Sequence, residues 1–444
     1  MSASKWKPYL RYKPARLEWL GEIPTHWKTG RLKMTLQLST EKNGATPVGE
    51  MLSVSGYRGI ETKIYDHEEQ KRTDEDLKDY RVVRKGQLVV NTMWLNHSGL
   101  GVSDLEGHVS PAYRSYNIDE NYHGKFLHHL VRSSKYVGHY CSLLYGIRPN
   151  SYQVKNHDWD SVELLIPPIQ EQKDIAKFLD SFTEKIDVLI HGLEQEEMLL
   201  EEKRSAFITK VVTKGLNPEV EMKDSGLETL GQLPLTWKLK QIKHIIQPKG
   251  IVRGPFGSSL KTSFFVKEGY KVYQQQNAIY QDITRGKAYI DNQKFSELSR
   301  FSIRENDFLM SCSGTIGRTY LVPENFEPGV INQALMIIRY NREYFDYEYL
   351  SWLMNSSWFQ TQILDNSQGG AMKNIVGIEI FKGIKIPIPP IEQQIEISSF
   401  LIENVRKIEQ TQIQIKAKIE KIKQYRISLI SAAVTGKIDV RESV

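Results

Sequence analysis

Arginines, amides and hydroxyls gathered on glycine-rich loops are the residues of this chain best suited to chemistry, and that chemistry is recognition. In the second half, Arg253-Gly254-Pro255-Phe256-Gly257-Ser258-Ser259-Leu260-Lys261 sets an arginine, two hydroxyls and a lysine on one tight loop, and Gln274-Gln275-Gln276-Asn277 offers a run of amides. Arginine can pair bidentately with guanine and glutamine or asparagine with adenine, while serine and lysine hold phosphates. In the first half, Asn91, Asn96, His97 and Ser98 surround Trp94 and Leu95, and Tyr57-Arg58 follows a glycine. The candidate nucleic-acid contacts are therefore Tyr57, Arg58, Asn91, Asn96, His97 and Ser98 in the first half. In the second they are Arg253, Ser258, Ser259, Lys261, Gln274, Gln276, Asn277, Arg318 and Lys373. Solvent exposure alone also produces polar loops, so each loop taken singly is ambiguous.

Catalytic patterns are missing. There is no Gly-x-x-x-x-Gly-Lys-Ser/Thr loop, no His-Glu-x-x-His, no Asn/Asp-Pro-Pro-aromatic motif and no Gly-x-Gly following a strand. Gly314-Thr315-Ile316-Gly317-Arg318 is too short for a phosphate loop and lacks its lysine, so it reads as a turn between strands. His128-His129 are adjacent and point different ways on a helix, which is not metal-ligand spacing. The expected chain performs no covalent chemistry, binds no metal and carries no cofactor.

At 444 residues, 40% apolar and 25% charged, the composition is that of a globular protein with room for several cores. No apolar run reaches the ~18 residues of a membrane span, and Met1-Ser-Ala-Ser-Lys-Trp-Lys lacks the apolar core of a secretory signal. Two cysteines, Cys141 and Cys312, suit a reducing compartment, so a cytoplasmic location is expected. A formal charge of +6 permits a polyanionic partner without requiring one.

The elements that must position the loops are repeated. Ile166-Pro-Pro-Ile-Gln-Glu-Gln172 recurs as Ile388-Pro-Pro-Ile-Glu-Gln-Gln394, an offset of 222 positions. Apolar residues follow at Ile175, Leu179, Phe182, Ile186, Leu189 and Leu193, the heptad seam of a helix packed along another. Two prolines ahead of the run suit a helix start. Both helices end alike, at Val212-Thr213 and Val434-Thr435. Glu194, Glu196, Glu197, Glu201 and Glu202 in the middle of the first helix read as a solvated face, as a surface for a basic partner, or as the counterpart of Lys416, Lys418, Lys421 and Lys423 in an antiparallel pair.

A second repeat marks where each copy begins. Glu18-Trp-Leu-Gly-Glu-Ile-Pro-Thr-His-Trp27 returns as Glu228-Thr-Leu-Gly-Gln-Leu-Pro-Leu-Thr-Trp237. Its glycines and prolines read as turns, and Trp27 and Trp237 as core plugs. Between motif and helix lie short apolar runs broken by glycines, then helical stretches at Phe126–Leu144 and Tyr347–Leu364, then closing strands at Val162–Ile166 and Ile384–Ile386. The expected fold is α+β: two β-rich globular domains, 1–165 and 217–387, joined by two long antiparallel coiled-coil helices, 166–216 and 388–444, with pseudo-two-fold internal duplication.

Taken together, the two opening motifs, the two Pro-Pro-Ile-x-x-Gln helix starts and the Val212-Thr213-x-Gly215 and Val434-Thr435-Gly436 ends resemble the specificity subunit of type I DNA restriction-modification systems. Gly254-Pro-Phe-Gly-Ser258, Gly314–Arg318, Ile331-Asn-Gln-Ala334 and Val109-Ser-Pro-Ala-Tyr113 are similar to that family's target-recognition domains. Thr229 departs from the tryptophan that the opening motif carries at Trp19. The resemblance implies that each globular domain reads half of an asymmetric bipartite site in double-stranded DNA while the helices fix the spacing. It implies docking of two modification subunits, which use S-adenosylmethionine on adenine N6, and of restriction subunits that use ATP and magnesium. A coiled-coil interaction protein without DNA binding, or a methyltransferase in its own right, are the competing classes.

Overall fold

A computed structural model describes residues 6–65, 72–146, 152–365 and 378–443. Its contacts divide the chain into two compact units, one formed by 1–194 with 416–444 and the other by 195–415. These units cut across the four expected segments, because each takes part of both long helices.

Unit 1 holds two four-stranded sheets. In one, Gly107–Val109 runs parallel to Glu50–Ser55 and antiparallel to Arg81–Val83, with Gly59–Thr62 at the edge. In the other, Tyr113–Ile118 lies between Leu36–Leu38 and Leu88–Asn91, with Leu100–Val102 outermost. Unit 2 repeats the plan. Gly329–Ile331 runs parallel to Tyr270–Tyr273, and Leu335–Tyr340 lies between Ile246–Arg253 and Phe308–Ser311, with Thr319–Leu321 outermost.

Each expected helical stretch is two helices. Gly124–Arg132 and Ser134–Leu143 meet at Ser133, and Tyr347–Asn355 and Ser357–Asp365 meet at Ser356. Both serines are buried, and each hydroxyl donates to the carbonyl three residues back, Leu130 or Leu353. A serine that captures a backbone carbonyl locally offers the chain an alternative to continuing the helix.

The long helices run Ile169–Lys214 and Ile391–Val434. The prolines stand just outside: the Pro168 carbonyl accepts from the Gln172 N–H and the Pro390 carbonyl from that of Gln394. The helices pack antiparallel within each unit. In unit 1, Asp187 faces Arg426 and Glu194 faces Lys423; in unit 2, Arg204 pairs with Glu409 and Gln412 donates to Glu201. Thus Glu194–Lys423 joins the acidic stretch to the basic one, while Glu196 and Glu202 are exposed. One seam position is corrected. Leu189 is 52% exposed and Ile190 is buried, so the seam steps by four from Ile186, as a straight helix of 3.6 residues per turn requires.

Identical devices fasten helix to sheet in both units. The Gln172 side chain accepts from the His123 N–H and donates to the Asn121 and Pro167 carbonyls; Gln394 accepts from Asp346 and donates to Tyr344 and Pro389. Both glutamines are fully buried. Trp27 and Trp237 plug the two cores as expected, and each indole N–H reaches the helix start, at Glu171 (3.0 Å) and Gln393 (2.8 Å). The helix ends are exchanged. Gly215 ends the first helix at φ +78° against Trp237 of unit 2, and Gly436 follows the second at φ +69° against Pro24 and Trp27 of unit 1. A left-handed residue after a helix favours glycine, and a Cβ would stand 2.4 Å from Pro24 at Gly436 and 3.2 Å from the Trp237 indole at Gly215.

Candidate nucleic-acid interface

In unit 1 the sequence-distant candidates at 56–58 and 94–98 come together because one arginine ties their backbones. Arg132 ends the helix Gly124–Arg132, and its guanidinium donates to the carbonyls of Ser55, Gly56, Ser98 and Leu100. Burial, with Arg426 nearby, pushes its pKa down to about 10, so it stays charged at neutral pH and holds both loops. Glycine makes the approach possible. A Cβ on Gly56 would stand 2.6 Å from the His97 carbonyl, and one on Gly99 2.5 Å from that of Trp94. Nothing in the helical pattern marked Arg132 for this role. Beside it, burial with His129 and Arg132 pushes His128 well below the usual histidine range. Its Nδ1 accepts from the Val102 N–H, as a neutral ring allows.

The loops border a cleft of about 790 Å³ lined by Tyr57, Arg58, Ser98, His123, Arg132 and Arg426. Tyr57 donates its hydroxyl to Asp187 on the first long helix, beneath the Arg426 guanidinium at 4.5 Å. Burial and that hydrogen bond raise its pKa to about 12. Tyr57 therefore anchors the loop to the helices. Arg58 is exposed and paired with Glu61 at 2.8 Å. His97 and Trp94 are exposed with rings edge to face, and the Asn96 Oδ1 is buried without a partner. Ser98 adopts φ +55° at the turn. Asn91 is buried, with Oδ1 accepting from the Met93 N–H, so it shapes the turn rather than presenting an amide.

In unit 2 the candidate loops leave the same end of the two sheets. The Gly254 N–H donates to Leu335, Cys312 to Ala334 and Asn332 to Tyr273, gathering the chain beyond Arg253, Ser311, Tyr273 and Ile331. Gln360 holds the loop after Ser311 through the Gly317 carbonyl, and Asn355 accepts from the Thr319 N–H. Arg253 reaches this end with its guanidinium 5.6 Å from the exposed Phe256 ring and its Nε unpartnered. Ser259, Lys261 and Arg318 are exposed. Ser258 lies in the turn Gly257–Leu260, its side chain outside the described ones, and Lys373 lies outside the described residues. Asn277 is corrected: it is fully buried, accepting from the Gln274 N–H and donating to the Asp282 and Arg285 carbonyls, so it holds its own loop. Gln276 donates to the Gln274 side chain at 3.1 Å.

Two duplicated α+β units, each presenting polar loops at the sheet ends and fastened to shared long helices, define a modular recognition protein. Residues 235–421 match the type I restriction modification DNA specificity domain. The putative type I restriction enzyme MjaX specificity subunit of Methanocaldococcus jannaschii is 24% identical over 95% of this chain and 96% of its own length. The EcoBI specificity subunit of Escherichia coli is 26% identical over 62% of this chain and 58% of its own. The fold is shared, at a TM-score of 0.70 and 15% identity, with a chain solved in a study of complex assembly and conformational transition of the type I R-M system; the match covers 94% of this chain and 99% of that one. Along nearly its whole length the chain is thus similar to type I restriction-modification specificity subunits. Among the described residues, no helix is long and apolar enough to cross a membrane.

Proposed function

We propose that this chain gives a type I restriction-modification complex its DNA sequence specificity. Each unit reads one half of an asymmetric, bipartite site in double-stranded DNA, and the helices set the spacer and dock two modification subunits that methylate adenine N6. Restriction subunits join through that core. S-adenosylmethionine, ATP and magnesium belong to the partners, and the chain itself carries no cofactor and works in the cytoplasm. The observation that carries the reading is the repeated frame bearing unlike polar loops: the same glutamine and tryptophan devices fasten helix to sheet in both units, while the loops carry Arg58, His97 and Trp94 in one unit and Arg253, Phe256 and Arg318 in the other. A common scaffold with divergent ends is what two readers of different half-sites require.

Mapping methylated adenines across the genome of a host carrying the system tests it. A bipartite motif with a fixed gap is expected, and replacing the loops of one unit should change one half only. A contiguous motif would overturn the reading. Purified chain given labelled S-adenosylmethionine and cognate DNA should transfer no methyl group.

A further inference from the structure

The run Gln274-Gln275-Gln276-Asn277 is not uniform once folded. Asn277 spends its amide on backbone, and Gln274 and Gln276 bond each other. The Gln275 Oε1 is buried and, among the described residues, accepts no hydrogen bond. A buried acceptor without a donor is costly and asks for an explanation. Its position supplies one. Gln275 opens the short helix Gln275–Ile279, which follows the strand Tyr270–Tyr273 and packs on Phe308–Ser311. A Cβ on Gly314 would stand 3.9 Å from the Gln275 Oε1, so the amide faces the 312–318 loop at the end of the sheets where Arg253 keeps an unpartnered Nε.

Resting on the reading of unit 2 as a half-site reader, we propose that Gln275 is one of its specificity-determining residues, its amide reserved for the edge of an adenine. An amide carries both an acceptor and donors, and adenine presents a matching N6 donor and N7 acceptor in the major groove. Gln274, Gln276 and Asn277 then form the support that aims it.

Methylated adenines are mapped in a host carrying the complete system with Gln275→Ala or Gln275→Glu. Gln275→Ala should relax one adenine position of one half-site, reducing discrimination there about tenfold or more, with the other half-site and the gap unchanged. Gln275→Glu keeps the acceptors and loses the donors, so that position should shift toward cytosine, whose N4 donates; misfolding cannot produce such a shift. An unchanged recognition sequence in both variants overturns the proposal. If methylation is lost, the purified complex is titrated with parental duplex and single-base variants, and a loss equal for every duplex also overturns it. Exchanging residues 239–386 for those of another family member separates the two failures: if that exchange alters no half-site, the reading of unit 2 itself has failed.

Discussion

Units 1 and 2 agree in the buried glutamines and serines that fasten sheet to helix, and differ most where side chains approach the open loop ends. Gln172 and Gln394 make the same three hydrogen bonds. Ser133 and Ser356 break equivalent helices in the same way. At the end of the helix before that break the units part. Unit 1 has Arg132, tying two loops through four carbonyls, and unit 2 has Asn355, accepting one N–H, with Gln360 sharing the work. The helix start differs similarly. Glu171 accepts from Tyr9, His26 and Trp27, whereas Gln393 accepts from Trp237. The frame tolerates little variation because each of its partners is a buried backbone group; the loop supports vary because the loops they hold have different shapes.

The sharpest way to break the comparison is to remove the shared device. Gln172→Ala strands the His123 N–H and two carbonyls, and Gln394→Ala strands the matching groups. Each should cost about 3 kcal/mol in urea unfolding, with hydrogen exchange rising in the unit that carries the change. A large effect in one unit and none in the other would deny the equivalence.

Arg132→Ala should cost somewhat less, about 2 kcal/mol, since water can reach part of the freed carbonyls. Its main consequence is positional: the 55–58 and 94–100 loops lose their common tie. Methylome mapping should show degraded recognition of one half-site with the other intact. Asn355→Ala, losing one tie to the loop and one bond within its own helix, should have a milder effect on the opposite half.

Acid separates the units further. Burial works to raise the pKa of Asp180, but hydrogen bonds from His129 and Lys125 outweigh it and hold it at about 2. A depressed carboxylate contributes stability above its unfolded value of 3.8 and loses it as pH falls through about 2. Because Asp180 is 36% exposed, screening reduces the contribution to ~1 kcal/mol. The equivalent position in unit 2 is Ile402. There the buried Asp307, facing Arg339, is raised by burial, so its own titration opposes acid unfolding. Hydrogen exchange between pH 4 and 2 should therefore open unit 1 first, and Asp180→Asn should narrow the difference.

Much of this frame was legible in the sequence. The 222-residue offset identified both helices, and the paired tryptophans identified both cores, because repeated residues at repeated spacing need no spatial information to be seen. The exchange of helix ends was not legible, since Gly215 and Gly436 look alike and only the folded chain shows each against the indole of a particular unit. Nor could a 3.5-residue seam place Ile190 rather than Leu189 inside, a difference set by how a straight helix drifts. The loops were the least legible. Four neighbouring amides read alike as letters, and only their hydrogen bonds separate Asn277, a loop clamp, from Gln275.

The mildest perturbation in energy tests the helices as a spacer. Their length, about 65 Å at 1.5 Å per residue, exceeds what either core needs. Four residues inserted after Glu196, among exposed side chains, should leave both cores intact, and a four-residue insertion only unwinds a seam locally. Urea unfolding should move by less than ~1 kcal/mol. The insertion lengthens the first helix by about 6 Å, which on DNA rising about 3.4 Å per base pair corresponds to one or two pairs. Methylome mapping of the variant should return both half-sites unaltered with the gap longer by that amount. Altered half-sites with the original gap would show that the units, rather than the helices between them, set the spacing, and the identical frame devices would then serve stability alone.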